Sequence, residues 1–236
     1  MIRGFYTSLS GIVAAMDRQS VVAENIANVS TTGFRQSRTS FADIGMELGS
    51  SLGGSLGYLG TGDVLGAVSI DRTQGPIQET GLQTDLALEG DGLFTVQTPD
   101  GVAYTRAGTF IQAADGTLTT EQGYPVLDTA GQPIVTAGPP VIAPDGSVAG
   151  TTQRLGIIAW PDVQPVRLGQ SLLAVEGPVV PAAGTVRQGA LEGSNVDMSA
   201  AMTELVALQR HFAFSSRALS LEDQTVGDAV QIGRLK

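Results

Sequence analysis

One serine and the sole histidine stand in a pattern that could do covalent chemistry. Ser55 lies in Gly53-Gly54-Ser55-Leu56-Gly57, which fits the G-x-S-x-G pattern of a hydrolase nucleophile elbow, and aspartates and the sole histidine, His211, follow it in hydrolase order. The elbow exposes its serine only where a strand precedes it and a helix follows, and here glycine and serine flank it on both sides. Gly60-Thr61-Gly62-Asp63-Val64-Leu65-Gly66 approaches a dinucleotide-binding loop, but its last glycine falls one place late and no GK[ST] phosphate loop exists. Glu89-Gly90-Asp91-Gly92 supplies only a fragment of a calcium loop, which needs oxygen ligands at alternate positions and a closing glutamate. His211 has no second histidine, no cysteine and no nearby carboxylate pair, so it reads as a helix-surface residue rather than a ligand. The expectation is no catalytic, cofactor-binding or metal residues and no cofactor, with a serine hydrolase on Ser55 and His211 as a minor alternative.

Composition narrows the classes further. The 236 residues carry 23 acidic against 13 basic side chains, a net charge of −10 that opposes contact with nucleic acid or anionic membrane. The absence of cysteine excludes disulfides, zinc thiolate sites and iron–sulfur clusters. The 31 glycines and 5% aromatics imply many turns and short strands. No uninterrupted apolar run approaches the roughly 20 residues that a bilayer requires. Arg3 followed by Phe5 to Met16 faintly resembles a secretory signal. Thr7, Ser8, Ser10 and Gly11 dilute it, however, and the helical pattern continues to Ile26, so no cleaved signal is expected.

The elements that must position anything functional lie first at the chain ends. Ile2, Phe5, Leu9, Ile12, Met16, Ala23 and Ile26 recur at alternating three- and four-residue steps, interrupted by Gln19, which is a helical seam. The helix is expected from Ile2 to Asn28 and to end at Val29-Ser30-Thr31-Thr32-Gly33, where hydroxyl side chains compete for backbone hydrogen bonds and Gly33 permits a left-handed turn. A matching series, Met198, Ala201, Leu205, Leu208, Phe212, Leu219, Val226 and Ala229, returns after Gly193-Ser194-Asn195, where Ser194, Asn195, Asp197 or Ser199 could cap a helix reaching Ile232. Ser215 and Glu222 fall on that seam and wet it. Burying the N-terminal seam recovers less than ordering such a helix costs, so it needs partners beyond itself.

Between the ends, Gly45 to Gly66 is Gly/Ser/Leu-rich without sustained periodicity and reads as an extended linker or mobile loop. From Val68 to about Gln188 the period becomes two, as in Leu86 and Leu88 or Phe94 and Val96. Asp91-Gly92, Pro99-Asp100-Gly101, Asp115-Gly116 and Pro144-Asp145-Gly146 supply turns. Leu155 to Trp160 and Ser171 to Glu176 add strands, and Pro139-Pro140 and Pro161 mark edges.

The segment Asn25-Ile26-Ala27-Asn28-Val29-Ser30-Thr31-Thr32-Gly33-Phe34-Arg35 resembles the N-terminal signature of bacterial flagellar rod and hook proteins. Leu86 to Phe94, Ala103 to Phe110 and Leu191-Glu192-Gly193-Ser194-Asn195-Val196-Asp197 resemble further blocks of that family in the same order. Leu93, where the family commonly has an aromatic residue, and Gln209-Arg210-His211-Phe212 depart from it. The length and Leu59 to Val64 leave distal-rod and proximal-rod types both open.

The resemblance implies an α+β fold, with long N- and C-terminal helices pairing as a coiled coil and a central all-β domain of short antiparallel strands. Its expected divisions are 1–30 as a coiled-coil helix pairing with 197–236, 31–67 as an extended Gly/Ser-rich linker or stretch, 68–190 as a β-rich outer domain and 191–236 as the C-terminal coiled-coil helix. The implied function is a non-enzymatic structural subunit of the basal-body rod, polymerising helically into the drive shaft that carries torque from motor to hook. The implied partners are copies of itself, other rod and hook proteins and the flagellar type III export apparatus, with no nucleic acid and no small-molecule substrate. The implied location is the flagellar basal body, reached without a cleaved signal. Expected assembly residues are Ile2, Phe5, Leu9, Ile12, Met16, Ile26, Leu205, Leu208, Phe212, Leu219 and Val226. The motif residues are Asn25, Ala27, Asn28, Thr31, Gly33, Phe34, Ser194, Asn195 and Val196. A monomeric adhesin-like β domain on a helical stalk is the other alternative.

Overall fold

Helix α1 spans Ile2–Ala27 and α2 spans Met198–Arg234, and every other element is a strand: β1 Ser37–Gly49, β2 Ser55–Ile70, β3 Ile77–Glu79, β4 Leu86–Glu89, β5 Leu93–Thr98, β6 Gly101–Thr105, β7 Phe110–Gln112, β8 Leu118–Thr120, β9 Ile157–Ile158, β10 Val166–Arg167, β11 Leu172–Ala174, β12 Thr185–Gln188 and β13 Ala190–Glu192. The computed structural model describes residues 2–49, 55–161, 164–169, 171–175, 177–182 and 184–234, and side chains outside 2–8, 41–49, 55–65, 222, 226 and 229–234. The chain divides into a helical unit, Met1–Ile26, Ser37–Ser69 and Met198–Lys236, and a β unit, Ala27–Gln36 and Ile70–Asp197.

The β unit is built on antiparallel pairing, which short connections and Asp-Gly turns favour. Its largest sheet has the order β10-β11-β6-β5-β9. The β5–β6 hairpin pairs Phe94 with Thr105, Val96 with Ala103 and Thr98 with Gly101, so Pro99 and Asp100 form the two-residue turn. Alternation along β5 sends neighbouring side chains to opposite faces. Phe94 and Val96 enter a core with Leu86, Leu88, Phe110, Leu118, Val126 and Ile134. Leu93, one step away, joins a second cluster with Ile70, Tyr104, Ile158, Trp160 and Leu173. The rings of Phe94 and Phe110 meet edge to face at 5.2 Å and 83°, the arrangement that the ring quadrupoles favour. Burial raises the pKa of the Tyr104 hydroxyl.

The turn aspartates act as local chemistry dictates. The Asp115 carboxylate accepts the Thr117 N–H at 3.0 Å and the Asp145 carboxylate accepts the Ser147 N–H at 3.1 Å. Each carboxylate therefore closes its own turn before a left-handed glycine, Gly116 or Gly146. The Thr117 N–H holds Asp115, and the Ser147 hydroxyl, donating at 2.7 Å, together with the Ser147 N–H holds Asp145, below the usual carboxylate pKa.

Two expectations change in the helical unit. The stretch 31–67, read as an extended linker, carries β1 and most of β2, which pair as a two-stranded ribbon. Its glycines interrupt any side-chain alternation, while ladder pairing needs only backbone groups. At the ribbon's base the Ser40 hydroxyl both accepts the Ala67 N–H (3.1 Å) and donates to the Ala67 carbonyl (3.2 Å).

The second correction concerns the helices: no long coiled-coil pairing exists among the described residues. Leu9, Met16 and Phe212, all on the expected seam, remain 39%, 56% and 37% exposed. The face that α1 buries is instead Ala14, Ala15, Val22 and Asn25, one step around the helix from that seam. Gly11, Ala14, Ala15 and Arg18 face Glu204, Ala207, Leu208 and His211 of α2 across an open cleft of about 310 Å³. Small side chains permit close approach there. Leu9 and Met16 stay exposed rather than seated against a facing helix, as the knobs of a coiled coil must be. Arg18 bridges Glu204 through Nη2 at 2.5 Å, an ion pair accessible enough to contribute only about 0–1 kcal/mol. Ile12, Ile26, Leu205 and Leu219 are half-buried, and the side chains of Ile2, Phe5 and Val226 lie outside those described.

Candidate assembly site

Among the motif residues, Asn25 ties the end of α1 within the helical unit, and those from Asn28 onward take part in a polar junction within the β unit. In the helical unit, Asn25 is 98% buried at the end of α1, with 2% exposure. Its amide donates to the Ser37 carbonyl at 2.8 Å and its side-chain carbonyl accepts the Ser37 N–H at 2.9 Å. One side chain thus replaces a pair of ladder hydrogen bonds and ties the last turn of α1 to the first residue of β1. Ala27 is the exposed last residue of the helix.

In the β unit the chain leaves the helix through a tight turn. Thr31 N–H donates to the Asn28 carbonyl at 3.1 Å, its hydroxyl donates to the Asn28 side-chain oxygen at 3.1 Å, and Phe34 N–H returns to the Thr31 carbonyl at 3.2 Å. Gly33 takes φ 67° and donates its N–H to the Glu192 carbonyl at 2.7 Å. A Cβ at Gly33 would lie 2.3 Å from the Ala107 nitrogen, so only glycine satisfies both the conformation and the contact. Phe34 is fully buried, with the Arg167 guanidinium 4.4 Å from its ring centroid.

Asn195 closes the other side. Its side-chain oxygen accepts the Gln36 N–H at 2.7 Å, and its amide donates to the Thr73 carbonyl at 2.9 Å and hydroxyl at 3.1 Å. Ser194 accepts the Val196 N–H at 3.3 Å, and both residues are buried. Ser194 and Asn195, whose residue types also suit helix capping, therefore serve the junction.

Sequence reasoning contained Arg35, Arg106 and Glu192 only as letters inside family blocks, yet they form the centre of this junction. Glu192 is 1% exposed; one carboxylate oxygen accepts Arg106 Nε at 2.5 Å, and the other accepts Arg35 Nη2 at 2.7 Å and Gly75 N–H at 3.1 Å. Arg106 donates its remaining groups to the carbonyls of Gly92 (2.6 Å), Leu88 (2.7 Å) and Gly90 (2.7 Å). Arg35 donates to the carbonyls of Arg72 (3.0 Å) and Thr73. Its Nε is buried without a partner, and burial lowers its pKa, opposed chiefly by the charge of Glu192. A usable signal was available: three charged residues stand inside otherwise apolar or turn-forming blocks.

The hydrolase geometry is not formed. Ser55 is the first residue of a strand, not the tip between strand and helix, and Gly53 and Gly54 lie outside the described residues. His211 is an exposed residue of α2 lining the cleft. Among the described residues no cluster of three or more metal-ligating side chains occurs, and no helix is long and apolar enough to cross a membrane.

Comparison with known proteins places these features in one group. Residues 5–35 match the family of flagella basal body rod proteins, residues 87–158 the flagellar hook protein FlgE/F/G D1 domain, and residues 187–232 the flagellar basal body rod FlgEFG protein C-terminal family. The flagellar basal-body rod protein FlgG of Bacillus subtilis is 33% identical over 99% of this chain and 100% of its own length. The rod protein FlgF of Escherichia coli is 34% identical over 98% of both chains, and FlgF of Mesorhizobium japonicum is 33% identical over 88% of both. With relatives of this identity aligned along nearly its whole length, the chain belongs to the flagellar basal-body rod protein family.

Proposed function

We propose that the chain is a structural subunit of the flagellar basal-body rod, and that it assembles through surfaces its two helices leave uncovered. The family places it in the basal body, among proteins of structural role. The observation that carries the assembly mechanism is apolar exposure: Val13 and Met16 on α1 are 50% and 56% exposed, and Phe214 and Leu221 on α2 are 72% and 61% exposed. Uncovered side chains of this size on both helices suit an assembled partner better than water.

Copies of the chain and other rod and hook proteins are the partners that fit. Head-to-tail contacts that do not close generate a helical tube, the geometry a drive shaft needs. Torque is then carried by packing rather than by chemistry, and no cofactor or small-molecule substrate enters. Passage through the flagellar type III export apparatus without a cleaved signal is part of the same reading.

Deletion of residues 1–28 in cells lacking the native copy tests it. The expected result is loss of the chain from purified basal bodies and loss of swimming, with the β unit still folded by circular dichroism. Swimming at the wild-type rate after that deletion sinks the reading.

A further inference from the structure

The buried cluster of Arg35, Arg106 and Glu192 is expensive for a fold that already has two apolar cores. Two guanidinium groups share one carboxylate, and the charges of Asp71 and Asp91 also favour the charged form of Arg35. The Arg35 Nε has no partner. Without Arg35, Glu192 would still be paired with Arg106 and the pair would be neutral, so an apolar group at position 35 removes a desolvated charge without leaving the carboxylate uncompensated, the step that makes breaking a buried pair costly. Neutralising Glu192 therefore does not account for Arg35.

Its contacts suggest what does. The chain passes between its two units four times, after residues 26, 36, 69 and 197. The β-unit side of each passage is tied into the same hydrogen-bond system. Gly33 N–H reaches the Glu192 carbonyl after the first passage. Gln36, just before the second, accepts Asp71 N–H at 2.8 Å and donates to Asn195. The return at Arg72 and Thr73 is held by Arg35, and the last exit by Asn195 on Thr73. Glu192 binds the set together by accepting from Arg35, Arg106 and Gly75 at once. Arg106 in turn fastens the turn at 88–92, anchoring the set to the β4 strand end.

We propose that Arg35 is a positioning residue for rod assembly: through Glu192 it locks the β-unit ends of the four chain passages together, and incorporation into the rod depends on that lock while folding of the β unit does not. The inference rests on the rod reading above. Directional, bidentate guanidinium contacts suit such a role because they fix geometry as well as proximity.

The test uses the full chain carrying Arg35→Met, expressed in cells lacking the native copy and also purified. The expected result is an unchanged or raised melting temperature and unchanged hydrogen exchange at core amides such as Leu118 and Val126. Exchange at Gln36, Gly75 and Asn195 should be at least about tenfold faster, and the variant should be depleted from basal bodies, with swimming rings reduced. Arg35→Lys keeps the charge and reaches Glu192 without bridging both carbonyls, so it should restore incorporation in part. Normal incorporation and swimming of Arg35→Met overturns the proposal. Unfolding of the β unit in Arg35→Met overturns it as well, since Arg35 is then a folding residue. Wild-type chain that fails to restore swimming in the same strain removes the rod reading itself, whereas wild type and Arg35→Met both restoring it removes only this inference.

Discussion

The β unit and the helical unit treat their apolar side chains in opposite ways. In the β unit Leu86, Leu93, Phe94, Leu118 and Ile134 have no exposed surface, and the polar junction beside them satisfies nearly every buried donor. In the helical unit α1 and α2 bury mainly small residues and leave Met16, Phe214 and Leu221 more than half exposed. A region that buries its large side chains draws its stabilisation from its own core. One that leaves them open gains more when another molecule covers them, by the same hydrophobic term. The contrast fits the proposal that folding rests on the one unit and assembly on the other.

Substitutions that strike each unit separately sharpen or break that contrast. Phe94→Ala removes a fully buried ring and its edge contact with Phe110, and should cost about 3–5 kcal/mol in urea unfolding of the purified chain. Glu192→Ala leaves two buried guanidinium groups without their carboxylate and should cost about 3–5 kcal/mol in the same measurement. Gly33→Ala forces a methyl group against the Ala107 backbone at positive φ, with a cost of about 1–3 kcal/mol.

Phe214→Ser falls at the other extreme. On a side chain 72% exposed it should change unfolding by no more than about 0.5 kcal/mol while lowering incorporation into basal bodies. A large loss of stability in Phe214→Ser, or none in Phe94→Ala, breaks the division of labour. The smallest effect belongs to the turn aspartates. Asp115 and Asp145 have folded pKa values below the ordinary range, so their contribution is complete at neutral pH and is lost as pH falls through those depressed values. Asp145→Asn should therefore lower stability slightly at neutral pH, leave the acid end nearly unchanged and so flatten the profile between them.

Much of this was legible from local chemistry. The Asp-Gly turns, the two terminal helices and the period-two strands each follow from residues adjacent in sequence, because turn closure, capping and alternation are short-range effects. The motif block from Asn25 to Arg35 was legible as a family signature, but its mechanics were not. Asn25 works by replacing strand pairing at Ser37, and Glu192 by meeting Arg35 and Arg106 across 157 and 86 residues of chain.

The register of α1 shows where the limit lies. Apolar residues at Leu9, Ile12 and Met16 define one stripe, and Ala14, Ala15, Val22 and Asn25 define another beside it. Hydrophobicity alone selects the first, whereas the fold buries the second, whose alanines admit a neighbouring helix. The ribbon of β1 and β2 was hidden for a related reason, since backbone pairing leaves no mark on a glycine-rich pattern. By itself, then, the sequence determined the helices, the turns and the family, all of them encoded in neighbouring residues. The tertiary structure alone decided which helix face is covered, which stretch forms a ribbon and which three charges meet, because those outcomes depend on distant groups brought to the same place.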